Sequence, residues 1–401
     1  MDPEKIREDF PILKRRINGK ELVFLANAST TQKPKQVLNV MNEYYEEHNA
    51  NPSTSNRLST ESKRIFEKSR EKIADFIHAD TDEIIFTKNA TEAINLVAYA
   101  YKMKKKDEVI TTAMEHHSNI VPWQMLEKEK KIRLRFLGLT ENSLDLDELD
   151  SLMGKHTKLL AACHVSNVLG RENPVRQMAK IAHENDTLIL VDAVQSVARM
   201  PINVKEIGCD FMAFSGHKML GPQGIGCLYV KKGIMKELRP FVCGSVMKKV
   251  SKTSCEFLEG PERFEPGMQN IAGAIGFAAA IDYLDHIGMK NVQYHNEMLT
   301  DYALKHMKDI DGVKIYGAGH GIASFNVKQM QSYDVSGLMG DESIIISAGN
   351  HNCIPLMDYL DTNGVARMST YIYNTKEDID KFIERLKRVA SLGTKRLLTK
   401  T

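Results

Sequence analysis

The sequence predicts an α/β protein whose larger part is a mostly parallel sheet with helices on both faces. Short apolar runs, each typical of a buried strand, alternate with stretches of helical periodicity. Strands that alternate with helices form parallel sheets, because each crossover returns the chain to the same edge. At 401 residues the chain can bury a large core and should form two domains or one large domain with an appendage. The predicted strands of this part are 84–87, 109–112, 132–137, 158–165, 187–192, 209–214 and 227–230.

The helices of this part follow from apolar periodicity and from residues that begin helices. Pro34 stands at a first-turn position, where the missing N–H of proline costs nothing. The predicted helices are 34–48, 59–77, one from Ala93, 145–153 and 174–185. They are preceded by a short charged helix within 1–20, an exposed turn at Asn18-Gly19-Lys20 and a strand over 21–25.

The pattern changes after residue 239. A loop-rich stretch over 239–268 is followed by two long helices and then by short strands. This order indicates a smaller α+β domain that packs on the first one. Its predicted elements are helices 271–287 and up to 310, strands 315–316, 322–327 and 344–347, and a final helix over 376–390.

Composition excludes several classes of protein. The net charge of +2 gives no sign of a nucleic-acid or membrane partner. The charged start, Met1-Asp2-Pro3-Glu4-Lys5, is no secretory signal, and no apolar run is long enough to span a bilayer. The 6 cysteines show neither a CxxC pair nor metal-ligand spacing. We therefore expect a reduced, cytoplasmic protein without a metal site.

One lysine stands at an unusual place, in Ser215-Gly216-His217-Lys218 between two buried strands. Desolvation lowers the pKa of a lysine, so that its amine can be a free nucleophile and form a Schiff base. The aldehyde that such a lysine most often meets is pyridoxal phosphate. The alternative is a lysine that ends a strand and reaches solvent. Taken alone, the motif favours neither.

Polar residues at other strand ends favour the cofactor. In parallel sheets, ligands bind beyond the carboxyl ends of the strands. The strand, polar loop and helix around Thr91 suit a phosphate, although such a start is also a plain helix cap. Asp192 ends an apolar run, where it caps the next helix or pairs with the pyridine nitrogen of the cofactor. The residues at such ends are Thr91, His116, Asn167, Asp192, Gln195 and Lys218.

Two adjacent histidines, His116 and His117, follow the strand 109–112 and invite a metal interpretation. We reject it, because neighbouring histidines do not easily chelate one ion and no third ligand is patterned nearby. An imidazole face over a planar cofactor ring suits His116 better.

Several motifs in order resemble the class V aminotransferase superfamily, and in particular its Suf-type (group II) cysteine desulfurase and selenocysteine lyase branch. The resemblance implies a pyridoxal-phosphate-dependent transferase of fold type I. It implies a seven-stranded sheet in a large domain over 24–285, a small domain over 286–401 and an N-terminal segment, 1–23, packed on the small domain. It also implies a homodimer with active sites near the interface. The motifs are Asn27-Ala28, Thr91-Glu92, 115–124, 164–170, 191–195, 215–222, 325–327, Arg367 and 371–375.

The resemblance also implies a role for each site residue. Lys218 would bind the cofactor and move protons, and Asp192 would pair with the pyridine nitrogen. His116 would stack on the ring and act in acid–base steps. Arg367 would grip the substrate carboxylate, a bidentate task that suits arginine. The remaining residues are Gln195 at the ring hydroxyl, Asn167 at the substrate or ring, and Thr91, Ser215 and His217 at the phosphate.

The chain departs from the family pattern in its loops. The active-site loop usually reads Arg-Thr-Gly-His-His-Cys, whereas this chain has 347–353 ending in Asn352-Cys353. The loop cysteine is thus displaced by one position, and an arginine is absent. A thiolate acts over a few ångströms, so Cys353 is either the persulfide carrier or a structural thiol. The other departures are Pro52-Ser53-Thr54-Ser55 for a His-Arg-Gly run, Cys243-Gly244-Ser245-Val246 for a glycine-rich hairpin, and Met268 for a threonine.

The leading functional expectation is a cysteine desulfurase. It would convert L-cysteine to L-alanine and pass sulfur to an enzyme cysteine or to an acceptor protein, for iron–sulfur cluster assembly or other sulfur metabolism. The altered loops leave open another class V reaction, such as transamination, C–S lysis or epimerisation. A scaffold without activity is the third alternative, but it would have no need for the lysine.

Overall fold

The computed structural model describes residues 1–130 and 132–398. In chain order its strands are β1 (Arg16–Ile17), β2 (Lys20–Glu21), β3 (Val23–Phe24), β4 (Ile84–Thr87), β5 (Glu108–Thr112), β6 (Arg133–Leu137), β7 (Thr157–Cys163), β8 (Leu188–Asp192), β9 (Phe211–Ser215), β10 (Gly226–Val230), β11 (Met247–Val250), β12 (Cys255–Phe257), β13 (Val313–Gly319), β14 (Ile322–Val327), β15 (Ile344–Ile345), β16 (Ser347–Gly349) and β17 (Val365–Ser369). The α-helices are α1 (Pro3–Arg7), α2 (Lys35–Glu43), α3 (Arg57–Phe76), α4 (Ala90–Ala100), α5 (Val121–Lys130), α6 (Leu146–Leu152), α7 (Val175–Glu184), α8 (Val204–Ile207), α9 (Lys232–Met235), α10 (Ile271–Ile287), α11 (Met289–Met307), α12 (Ser332–Gly340), α13 (Ile354–Tyr359) and α14 (Lys376–Leu398).

A 7-stranded sheet with the order β4-β10-β9-β8-β7-β5-β6 forms the centre of the larger part. Only β10 runs antiparallel to its neighbours, β4 and β9. Alternate residues of each strand point to opposite faces. In β7, Leu160 packs with α7 and α10 in one apolar cluster, and Leu159 packs with α4 and α5 in another. The predicted mostly parallel sheet with helices on both faces is therefore confirmed.

A second, 4-stranded antiparallel sheet with the order β13-β14-β17-β16 lies in the C-terminal part. Leu299 of α11, Val335 of α12 and Phe382 of α14 pack with it in a separate apolar cluster. This arrangement is the α+β pattern that the sequence predicts for the smaller part. Strand β17, which carries Arg367 in the middle of this sheet, is absent from the sequence prediction.

The N-terminal segment contacts the C-terminal part of the chain. Val23 of β3 pairs in parallel with Ile344 of β15, and Arg7 forms an ion pair of 2.9 Å with Asp378. These contacts support our proposal that 1–23 packs on the small domain. The division at residue 285 stays a prediction. The small domain is predicted to end at 401, and 399–401 lie outside the described residues.

Three local predictions need correction. The predicted helix within 1–20 is only α1, because Pro11 starts a separate 3-10 turn and the chain then forms the β1–β2 hairpin around the predicted turn. Helix α4 begins at Ala90 rather than Ala93, since the side chain of Asn89 accepts the N–H of Glu92 and caps it. The loop-rich stretch 239–268 contains the β11–β12 hairpin.

None of the helices in the described residues is long and apolar enough to cross a membrane.

Candidate active site

A cavity of about 240 Å³ lies at the carboxyl ends of the parallel strands. It is the place where a parallel sheet binds its ligands. The structure brings together around it all eight residues predicted to contact a cofactor. They are Thr91, His116, Asn167, Asp192, Gln195, Ser215, His217 and Lys218.

Lys218 reaches this cavity because the chain reverses direction there. Strand β9 ends at Ser215, a 3-10 turn covers Gly216–Lys218, and β10 returns antiparallel beside β9. The amine Nζ of Lys218 donates a hydrogen bond of 2.7 Å to the carbonyl of Ala28. Burial, and then the positive charge of Arg367, lower the pKa of Lys218 to about 7. Near neutral pH a large share of Lys218 is therefore the free amine.

This lowered pKa predicts how the apoprotein captures an aldehyde. Only the neutral amine attacks a carbonyl, and its share rises as the pH rises through the pKa. We expect the rate of covalent attachment of pyridoxal phosphate to rise about tenfold per pH unit below pH 7 and to level off above it. Borohydride reduction followed by peptide mapping measures the attachment at Lys218. A rate that climbs steadily towards pH 10, as for an ordinary lysine, would contradict the lowered pKa.

Asp192, the last residue of β8, also lines this cavity. Its carboxylate is buried, and Oδ1 accepts a hydrogen bond of 3.0 Å from the N–H of Val194. Burial raises the pKa of Asp192 to about 6, against the lowering effect of that hydrogen bond and of Lys218. A cation placed against this carboxylate would stabilise its charged form. The protonated nitrogen of a pyridine ring is such a cation.

Helix α4 begins at the edge of the same cavity, since Ala90 and Thr91 line it. The first N–H groups of a helix have no partner within it and, with the helix dipole, attract phosphate. Ser215 accepts a hydrogen bond of 2.9 Å from the N–H of Ala90, which fixes this helix start to the end of β9. Thr91 Oγ1 lies 2.7 Å from Ser118 Oγ, so hydroxyl groups surround the helix start. This set of donors suits a phosphate group.

His116 also lines this cavity and follows β5 after a short loop. Its Nδ1 accepts the N–H of Ser118 at 3.1 Å, so the proton of the neutral ring is assigned to Nε2. Burial and the charge of Lys218 lower the pKa of His116 to about 4. At neutral pH the ring is therefore uncharged. A neutral imidazole can stack on an aromatic ring without the cost of a buried charge.

Arg367 lines an adjoining cavity of about 510 Å³, which His116, Asn167 and Lys218 also border. Its guanidinium is buried and donates to the carbonyl of Asn167 and to Ser29 Oγ, the latter at 2.8 Å. The Nε atom is buried without a hydrogen-bond partner in the described residues. Burial lowers the pKa of Arg367 to about 10, which still leaves it charged at neutral pH. A buried cation that borders a cavity suits a substrate carboxylate.

Cys353 lines neither cavity among the described residues. It is fully buried, and its Sγ lies 3.1 Å from Asn167 Oδ1. Burial raises the pKa of its thiol to about 12, and a protonated thiol is a poor nucleophile. The carrier role of Cys353 stays a prediction, and this geometry favours the structural alternative.

The backbone of the loop before Cys353 determines where its side chain lies. His351 and Asn352 both have left-handed backbone conformations, with φ of 50° and 56°. His117 holds this loop from both sides, since its N–H donates to the carbonyl of Asn352 at 2.6 Å and its Nε2 accepts from Ile354 at 3.1 Å. His117 thus has a packing role, and no group of three or more candidate metal ligands occurs in the described residues.

Two charged residues near the site are absent from the sequence prediction. Glu115 is fully buried and accepts hydrogen bonds from Thr112, Asn119 and the N–H of Cys163 at 2.7, 2.7 and 2.8 Å. Burial raises its pKa to about 7. Glu115 could have been identified from the sequence as a site residue, because it stands next to His116 after an apolar strand. Lys33 could not be identified in this way, because the carbonyl that it contacts belongs to His217, 184 residues away.

The other loops that depart from the family pattern line neither cavity in the described residues. The segment 52–55 lies at the surface, as do Cys243 and Gly244. Met268 is 68% exposed and borders a groove together with Phe241 and Val242. Within one chain, these changes therefore lie away from the residues that line the two cavities.

The fold and the cavity together define a pyridoxal-phosphate-dependent enzyme of fold type I. The family model "Aminotransferase class-V" matches residues 23–382, and the chain belongs to this family. Pyridoxal phosphate is accordingly its cofactor.

Proteins named as cysteine desulfurases or probable cysteine desulfurases are similar to the chain over almost its whole length. It is 42% identical over 397 residues to a probable cysteine desulfurase of Halalkalibacterium halodurans, with 97% of this chain and 98% of that protein covered. A cysteine desulfurase of Haloferax volcanii is 39% identical, with 96% of each covered. The apo structure of a cysteine desulfurase from Thermococcus onnurineus NA1 has a TM-score of 0.93 at 35% identity and 98% coverage of both chains.

Proposed function

We propose that the protein is a pyridoxal-phosphate-dependent cysteine desulfurase that converts L-cysteine to L-alanine and transfers the sulfur to a thiol, either an enzyme cysteine or an external acceptor. The observation that carries this proposal is the position of Arg367, whose buried guanidinium borders the same cavity as Lys218 and His116. An amino acid held there by its carboxylate places its Cα near the lysine. The names of the relatives support L-cysteine as that amino acid.

The residues present fit the cofactor at both of its ends. We propose that Asp192 and Gln195 hold the pyridine ring, and that the start of α4 with Thr91, Ser215 and His217 binds the phosphate. When bound, pyridoxal phosphate withdraws electrons from the amino acid and so stabilises negative charge at its Cα. Asp192 would maintain this electron withdrawal by keeping the pyridine nitrogen protonated.

Arg367 and Asn167 orient the substrate. The guanidinium is held by Asn167 and Ser29, so its orientation at the cavity is fixed. A fixed carboxylate leaves the substrate little freedom to turn, which brings the proton on Cα towards one face of the cavity.

Lys218 and His116 move the protons. With a pKa near 7, the amine of Lys218 can take a proton from Cα and later return it to the carbon that becomes the methyl group of alanine. His116 carries a proton on Nε2 when neutral, and Nδ1 is already occupied by Ser118. It can therefore donate a hydrogen bond into the cavity without becoming charged.

The experiment that tests this proposal measures all products of L-cysteine. With a thiol reductant, L-cysteine and two thiols give alanine, sulfide and one disulfide, so alanine and sulfide form in equal amounts. The holoenzyme is incubated with L-cysteine and a reductant beside a Lys218→Ala control. Equal amounts that disappear in the control support desulfurase chemistry. No alanine from an enzyme that visibly holds its cofactor would reject it.

A second candidate, C–S lysis, follows from the burial of Cys353. Without a carrier thiol at the cavity, an enzyme of this class can release sulfide by β-elimination. That reaction yields pyruvate, ammonia and sulfide from L-cysteine and water, and it needs no reductant. The same incubation separates the two candidates, since pyruvate replaces alanine.

The buried thiol also gives a mutational prediction. We expect Cys353→Ala to keep the rate of alanine formation within about threefold of the native enzyme in the presence of a reductant, because a protonated buried thiol does not attack sulfur. Cys243→Ala, at an exposed position, is the matched control. A loss of more than about a hundredfold in Cys353→Ala alone, with the visible spectrum unchanged, would establish the carrier role instead.

We further propose that the enzyme is a homodimer. Three exposed apolar residues line one groove beside α4, and a second copy of the chain would cover them; they are Phe241, Val242 and Met268. Sedimentation analysis tests this, and a monomer at micromolar concentration would reject it. A sulfur-acceptor protein, a role in iron–sulfur cluster assembly and a cytoplasmic location are proposed from the family resemblance and composition alone.

A further inference from the structure

The carbonyl oxygen of His217 accepts an unusual number of hydrogen bonds. This oxygen belongs to the peptide that joins His217 to Lys218. Its donors are Thr31 N at 3.1 Å, Thr30 Oγ1 at 3.2 Å, Thr31 Oγ1 at 3.1 Å and Lys33 Nζ at 3.0 Å. A carbonyl oxygen has only two lone pairs, so these donors exceed its normal capacity. The segment 30–33 therefore concentrates its polar groups on one atom of the lysine-bearing turn.

Lys33 is the donor that can form the strongest of these bonds. Its Nζ bridges the carbonyl of His217 and the carbonyl of Thr31, the latter at 2.6 Å. A charged donor makes a shorter and stronger hydrogen bond than a neutral one. Burial lowers the pKa of Lys33 to about 7, yet the neutral amine still has the two N–H groups that this bridge needs. The bridge can thus persist on both sides of neutral pH.

The same segment fixes the turn at further points. Thr31 Oγ1 accepts the N–H of Leu220 at 2.8 Å, and Thr30 Oγ1 lies 3.1 Å from His217 Nδ1. The carbonyl of Ala28, a few residues earlier, accepts from Lys218 Nζ and from Gln195. The backbone and the amine of Lys218 are therefore both located by one stretch of chain, with Lys33 at its end.

We propose that Lys33 is a positioning residue for Lys218, because its amine holds the peptide plane from which Lys218 projects into the cavity. Lys33 does not itself line either cavity in the described residues, so it acts through His217. The inference rests on the proposed function only in taking Lys218 as the lysine that binds the cofactor.

The test compares Lys33→Met, which keeps the length of the side chain and removes its donors, with Lys33→Arg, which keeps donors. Lys35→Met is the matched control, since Lys35 is close in sequence, exposed, and paired with Asp9 at 2.9 Å. Three quantities are measured for each holoenzyme: kcat and KM for L-cysteine, the circular dichroism of the visible cofactor band per bound cofactor, and Tm.

We expect Lys33→Met to lower kcat about 10- to 100-fold with KM within about threefold, since a small misplacement of a reacting group has effects of this size. The visible circular dichroism should fall by about half, because it reports the position of the lysine and ring. Lys33→Arg should keep most of the native kcat and circular dichroism, and Lys35→Met should change neither quantity.

Two results would overturn the inference. One is a Lys33→Met enzyme with native kcat and circular dichroism. The other is a loss that follows cofactor content and Tm, which would show a purely structural role. If Lys33→Met does not fold, the shorter Lys33→Leu, which also lacks donors, replaces it, and native values there equally overturn the inference. The circular dichroism needs no substrate, so it decides the role of Lys33 even if L-cysteine is not the substrate.

Discussion

Replacing Lys218 by alanine should abolish alanine formation from L-cysteine, with a loss of kcat of at least about 10³- to 10⁴-fold. Lys218 is the only side chain proposed both to bind the cofactor and to move the proton between carbons. Its amine can accept and return a proton near neutral pH, because burial and Arg367 lower its pKa to about 7. The side chain of alanine offers neither the covalent bond nor the base.

Two controls make this result specific. Lys218→Arg keeps a positive charge but remains protonated at every accessible pH, so it should be as inactive as Lys218→Ala. Lys88→Ala changes an exposed lysine near the phosphate end and should keep kcat within about threefold. A small primary amine added to Lys218→Ala should restore part of the rate. Activity of Lys218→Ala above about one tenth of native would remove Lys218 from the mechanism.

Replacing Asp192 by asparagine should lower kcat about 10²- to 10³-fold while the fold is kept. The amide has the same shape as the carboxylate but no charge, so it cannot keep a pyridine nitrogen protonated. The effect should be large because the site is buried and excludes solvent that would weaken the pairing. Affinity for the cofactor should fall as well, and equilibrium dialysis of the apoprotein against pyridoxal phosphate measures it.

Asp210 provides a matched control for Asp192. It is also a buried aspartate of the central sheet, but it precedes β9 and so lies at the amino end of the strands. Its Oδ2 accepts the N–H of Ile189 at 2.9 Å and lies 2.8 Å from His183 Nε2. Asp210→Asn should lower Tm and leave kcat within about threefold. Equal losses of kcat in both variants would mean that Asp192 acts on stability alone.

The central sheet and the cofactor cavity could be predicted because their signals are local. Most strands of the sheet contain an apolar run, and a polar residue lies at or soon after the carboxyl end, such as Asp192 at the end of β8 or His116 beyond β5. The topology of parallel strands then brings these ends to one edge without any further information. That is why residues as far apart as Thr91 and Lys218 could be assigned to one site.

The remaining features depend on contacts between distant parts of the chain. The bond between Lys33 and His217 spans 184 residues, and that between Cys353 and Asn167 spans 186. The sequence pattern around Lys33 or Cys353 does not indicate which distant residue it will contact. The direction of Cys353 depends on the left-handed residues His351 and Asn352, neither of which is glycine, and so the sequence motif alone left its role open.

The position of Ala28 has a consequence for biosynthesis. Its carbonyl holds Lys218 and Gln195, and its own N–H donates to Ser369 Oγ at 2.7 Å, 341 residues later. Val23 and Leu25 likewise bond to the carbonyls of Ser343 and Ile345. A chain still on the ribosome has made Lys218 long before it has made the residues that fix Ala28. The contacts that fix Ala28 therefore form only after Ser369 has been synthesised, when an early segment finds a partner in a much later one.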